Sequence, residues 1–97
     1  MILEIRDIHK KEENIYTIGI VKDVKIHKRK SDEAEFAIFS LESLDGYDAI
    51  ECRCFVPVYE KYKYLIKENR KILINAICCE DENEIYLIAI MKNGMAL

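Results

Sequence analysis

The chain has 97 residues, with Lys+Arg 15 against Asp+Glu 18 and a formal net charge of −3. That length holds one domain, and that balance excludes a protein gripping nucleic acid by total charge alone. Hydrophobic residues at 51%, with only 3 Gly and 1 Pro, exclude disordered, low-complexity and collagen-like chains.

No apolar run nears the roughly 18 residues a membrane span needs. The start, Met1-Ile2-Leu3-Glu4, has no apolar signal region. The expectation is a soluble, cytoplasmic protein with no membrane partner. Ile occurs 16 times and Val 4 times, and both suit the pleated surface of a sheet. Met1 to Asn14 carries Ile2, Ile5 and Ile8 and reads as an N-terminal strap. Ile15 to Ile26 reads as a long strand, with its alternation slipping near Gly19-Ile20-Val21, where a bulge or sharp coil is expected. A polar loop, His27 to Glu33, follows. Ala34 to Leu44 is a second strand, Asp45-Gly46 a hairpin turn, and Tyr47 to Phe55 a third strand. Pro57 suits the first turn of a helix, and Tyr59, Tyr62, Leu65 and Ile66 recur at helical spacing to about Asn69. Lys71 to Cys79 and Ile85 to Met91 are the fourth and fifth strands, joined by the acidic turn Glu80-Asp81-Glu82-Asn83-Glu84. Lys92 to Leu97 is expected to be a loose tail, which leaves residues 15–91 for the barrel of a single domain.

Three strands, a helix and two strands is the order of an all-β, five-stranded OB-fold, a Greek-key barrel with one helix between the third and fourth strands. Several stretches carry a family resemblance. Gly19-Ile20-Val21 with Val24, Phe36-Ala37-Ile38-Phe39-Ser40-Leu41-Glu42 before Asp45-Gly46, and Ile50-Glu51-Cys52-Arg53-Cys54-Phe55 before Pro57 resemble OB-fold nucleic-acid-binding domains of the anticodon-binding type. The likeness is to the OB domain of bacterial DNA polymerase III alpha subunits. The opening Ile5-Arg6-Asp7-Ile8 is similar to replication protein A. Ser43 departs from the acidic residue that often follows the Leu-Glu of the second strand, and Asn75 from a common Gly in the fourth.

The cysteines, Cys52, Cys54, Cys78 and Cys79, have gaps of one and zero within each pair, which is not the spacing of a zinc site. They read as small buried hydrophobes. His9 and His27 lie in polar segments, no serine sits in a nucleophile-elbow pattern, and no Gly-rich phosphate loop occurs. Neither catalysis nor a cofactor or metal is expected.

Charge is local. Lys22, Lys25, Lys28, Arg29 and Lys30 face only Asp23 within Lys22 to Lys30, a net of +4 in and beside the first loop. In an OB barrel this loop folds over a bound strand. If Ala37, Phe39 and Leu41 pack inward, Phe36, Ile38 and Ser40 face out. By the same alternation Ile50, Cys52 and Cys54 pack inward and Arg53 faces out. Phe36 and Ile38 then form a stacking platform, and Arg53 with the loop cations holds phosphate. Tyr86 is a weaker candidate, read as edge packing. Lys61, Lys63, Lys67, Arg70 and Lys71 around the helix read as a solvated face.

The expected function is a non-catalytic module for single-stranded nucleic acid, DNA before RNA. The resemblance implies a replication or repair setting, with proteins of that machinery as partners. The alternative is an OB domain that binds protein or self-associates, which the acidic turn and the net charge favour.

Overall fold

β2 (Glu12–Lys28) is the element around which the barrel is built. Its first half pairs antiparallel with β5 (Lys71–Asp81) from Ile15↔Ala76 to Ile20↔Lys71, and its second half with β3 (Glu35–Glu42) from Ile20↔Glu42 to Lys28↔Glu35. The strand coils as it passes from one neighbour to the other, and Gly19 stands at the crossing. A Cβ there would lie 2.6 Å from Leu41 Cγ and 2.8 Å from Glu42 O, so only glycine fits. In this computed structural model, which describes residues 1–97, β3 also pairs with β4 (Ala49–Cys54). β4 runs parallel to β6 (Glu84–Ala89), and β6 returns antiparallel to β5. The β2–β5 ladder closes these five strands into the Greek-key barrel expected from their order.

Two short strands bring the total to seven. β1 (Ile2–Leu3) pairs parallel with Tyr16 and Thr17 of β2, and β7 (Met95–Ala96) pairs with Ile72 and Leu73 of β5. Each covers backbone edge that the main barrel leaves open. The final residues are therefore tied rather than loose. Leu97 N–H donates to Lys71 O at 2.9 Å, and Asn93 Nδ2 donates to the Tyr16 hydroxyl at 2.9 Å. The stretch expected as a strap over Met1 to Asn14 is more structured than that, since a 3-10 turn at Ile5–Asp7 follows β1 and β2 already begins at Glu12; Ile5 and Ile8 are buried and Ile2 is 54% exposed. Thr17 Oγ1, fully buried, donates to Leu3 O at 2.7 Å and pins it.

Several boundaries differ from those expected: β2 takes in Glu12 to Asn14 and also His27 and Lys28 of the expected loop, and β5 runs on to Asp81. The bulge falls between Lys22 and Lys25, beyond Gly19-Ile20-Val21. Asp23 takes a left-handed φ of 55°, and the inward row Ile15, Thr17, Gly19, Val21 resumes at Val24. The two amides freed there donate to one carboxylate, Asp23 N–H to Glu68 Oε1 at 2.8 Å and Val24 N–H to Glu68 Oε2 at 3.1 Å. Those backbone bonds, Val24 first, hold the Glu68 carboxyl below its usual range. The helix is shorter than its periodicity implies. α1 covers Val58–Tyr62, and the chain then turns through bonds such as Leu65 N–H to Tyr62 O, so that Leu65 and Ile66 enter the core together beside Tyr59. Finally, the β3–β4 connection spans residues 43–48, longer than a two-residue turn. Ser43 and Asp45 organise it, with Ser43 Oγ donating to Asp45 Oδ1 at 2.7 Å and accepting from Asp48 N–H at 3.0 Å.

Asn75 explains its departure from glycine. Only 2% exposed, it donates to Asn14 Oδ1 at 2.6 Å and Ile15 O at 3.0 Å, and its carbonyl accepts from Ile90 and Met91 N–H. Its side chain clips the start of β2 and its backbone the end of β6. Cys52, Cys54 and Cys78 lie in the core, and Cys79 on the outer surface is partly exposed. Burial pushes the Cys54 thiol up to about 12 and Cys52 well above its usual range, so neither is a thiolate nucleophile near neutral pH.

Candidate nucleic-acid interface

β3 alternates as its sequence predicts. Ala37, Phe39 and Leu41 are buried, and Phe36, Ile38 and Ser40 lie half-buried on the outer side. β4 does the same, burying Ile50, Cys52 and Cys54 and turning Glu51 and Arg53 out. Strand register then lines up residues across the outer face. Lys25, Ile38, Arg53, Ile88 and Ile77 are successive partners across β2, β3, β4, β6 and β5. Ser40, Glu51, Tyr86 and Cys79 form the neighbouring row. A shallow groove of about 260 Å³ runs over Lys25, Ile38, Ser40 and Glu51.

Towards the β2–β3 loop the face turns aromatic. His27 is the register partner of Phe36, and their rings stack at 5.3 Å with 20° between planes. Phe55, just past β4, sits 5.7 Å from Phe36 at 46° and is 39% exposed. Three rings therefore lie side by side where the sequence reading had Phe36 alone. Phe55 was legible, since it shares Arg53's parity. His27 was not, because its partner depends on the bulge.

The candidate cations divide into two groups. Lys25, Lys28 and Lys30 are exposed and take part in no ion pair. Three others are engaged within the chain. Arg29 forks onto Asp32, with Nε to Oδ1 at 3.0 Å and the second nitrogen to Oδ2 at 2.6 Å. That bond is the main cause holding the Asp32 carboxyl down at about 2. Lys22 Nζ donates to Asn69 Oδ1 at 2.6 Å. Arg53 Nε donates to Glu51 Oε2 at 2.7 Å while its guanidinium lies 3.8 Å over the Tyr86 ring. Tyr86, read as edge packing, is thus the platform beneath Arg53. The acidic residues Glu80 to Glu84 are exposed at the far end of the face, around a tight turn with left-handed Glu82 and Asn83. The face has a basic, aromatic end and an acidic end.

No family model matches the chain. The DNA polymerase III subunit alpha of Aquifex aeolicus (strain VF5) is 34% identical over 71 residues, 73% of this chain. The chain spans about 6% of that protein's length. Among solved structures, the mitochondrial single-stranded DNA-binding protein Rim1 of S. cerevisiae superimposes with a TM-score of 0.63 at 13% identity, covering 88% of this chain and 93% of that one. The S. pombe Stn1–Ten1 complex gives 0.67 at 11% identity, covering 98% of this chain and 76% of that one. The chain is an OB barrel. At these identities the structural likeness speaks to fold, and the open β3–β4 face with its flanking loop is where OB barrels carry their sites.

Proposed function

We propose that this OB barrel binds single-stranded nucleic acid, DNA in the first place, across the outer face of β3 and β4, without catalysis. One observation carries the reading. The ring cluster of exposed His27 and Phe55 around half-buried Phe36 lies on the open face, and the unpaired cations Lys25, Lys28 and Lys30 flank it. Stacking on aromatic rings combined with a cationic groove is how OB barrels hold single strands without reading sequence. Ile38 extends the platform. Arg29, Lys22 and Arg53 reach phosphate by giving up Asp32, Asn69 and Glu51. Rim1 is named for single-stranded DNA binding, and the alpha-subunit relative supports a replication or repair setting. The resemblance of Gly19 to Val24 and of Phe36 to Glu42 to nucleic-acid-binding OB domains of the anticodon-binding type is in keeping with the same reading.

Titration of a labelled oligo-dT at about 50 mM salt tests it, because counterion release makes such binding strongest at low salt. Saturable binding that weakens as salt rises is expected. No binding at that salt refutes the proposal. The rival, a protein-binding OB domain, draws on the apolar pair Ile77 and Ile88 and the acidic turn beside it. It predicts oligomer formation or partner capture that Phe36→Ala leaves unchanged.

A further inference from the structure

The outer face does not stop at the aromatic cluster. β4 and β6 are parallel neighbours, with Arg53 opposite Ile88, so Phe55 and Ile90 leave the sheet side by side at the same end. The two chains then part, one into α1 and the other towards β7. Between them lies a groove of about 530 Å³, lined by Pro57, Lys61, Tyr62, Ile90 and Lys92 among others. Its chemistry repeats that of the face. Tyr62 is a half-buried ring, Lys61 Nζ stands 5.5 Å from its centre, and Lys92 is exposed on the other wall. Glu60 is the one acidic residue on the lining.

We propose that this groove is a second nucleic-acid subsite, which takes further nucleotides of the strand held on the β3–β4 face. The proposal rests on the single-strand reading above and adds a direction to it. The opposite end of the face is closed to a polyanion by exposed Glu80, Asp81, Glu82 and Glu84. A strand leaving Phe55 comes next to Pro57, only two residues along the chain, which lines the groove. Lys61 and Lys92 hold phosphate from the two walls, and Tyr62 offers a ring for stacking.

The test uses two labelled oligo-dT probes, about 6 and about 15 nucleotides long, within the span of OB site sizes. The wild-type chain and the double variant Lys61→Ala, Lys92→Ala are titrated across a salt series. The wild type is expected to bind the longer probe more tightly and with a steeper salt dependence. The double variant keeps the wild-type affinity for the short probe, which also reports that it is folded. On the long probe its log–log salt slope falls by about 1.4, at about 0.7 per phosphate released on a single strand. A variant that binds the long probe like the wild type overturns the subsite. So does an equal loss on both probes, which marks a general charge effect. If the wild type binds neither probe, the single-strand reading itself has failed.

Discussion

Replacing Gly19 by alanine tests whether the coil of β2, which carries the basic segment from β5 across to β3, depends on a missing side chain. The added Cβ would lie 2.6 Å from Leu41 Cγ and 2.8 Å from Glu42 O. Ordinary carbon contacts sit at about 3.5–4.0 Å, so roughly 1 Å of movement is required. Leu41 is fully buried and Glu42 is held in the β2–β3 ladder opposite Ile20, so neither can retreat freely. Overpacking of this kind costs about 1–3 kcal/mol. The lower unfolded-state entropy of alanine offsets about 0.4–1 kcal/mol. A net loss of about 1–2 kcal/mol lowers Tm by roughly 4–16 °C in a domain of this size. Thermal unfolding followed by circular dichroism measures it. Gly94→Ala is the control, because its Cβ would meet Met91 Cε at 2.7 Å, the tip of an unbranched side chain, with no backbone atom nearer than Leu73 O at 3.4 Å, whereas at Gly19 a backbone oxygen stands at 2.8 Å. A Gly19→Ala Tm at or above the wild type, or a larger loss at Gly94, would refute the reasoning.

Phe36→Ala removes the middle ring of the cluster. It should weaken oligo-dT binding about 5- to 140-fold, the equivalent of about 1–3 kcal/mol of stacking on one base. Glu51→Gln releases Arg53 and removes an anion from the face. Anisotropy titration should show tighter binding with a salt slope steeper by about 0.7, and this gain should vanish in an Arg53→Met background. Glu68 is depressed in the folded protein, so its contribution to stability is present above about pH 4.3 and is lost as pH falls through the lower folded value. The Tm of Glu68→Gln should therefore lie below the wild type at neutral pH, and the two curves should converge in acid. Thr17→Val deletes the bond to Leu3 O and should cost about 1 kcal/mol, with faster amide exchange in the strap.

The alternation of β3 and β4 was legible because each strand buries one side in the barrel, so residues two apart share an environment. That parity alone places Phe36, Ile38 and Arg53 on one outer face. The strand order and the helix between β4 and β5 were readable for the same reason, each segment having its own period. What was not legible depends on residues far apart in sequence. The bulge at Asp23 exists because Glu68, 45 residues away, accepts its amides. The helix breaks early because Leu65 and Ile66 both reach the core.

The charge balance by itself determined that total charge drives no binding, and the local sequence determined where the basic loop lies. Which cations remain available was settled only in three dimensions. Arg29 is taken by Asp32 and Lys22 by Asn69, while Arg53 is shared between Glu51 and Tyr86. The Asp32 pairing is local, three residues along the chain. Tyr86 meets Arg53 only because β4 lies parallel to β6, a neighbour that chain order does not supply. Side-chain period is a property of one strand, but the partner of a side chain is a property of the strand beside it.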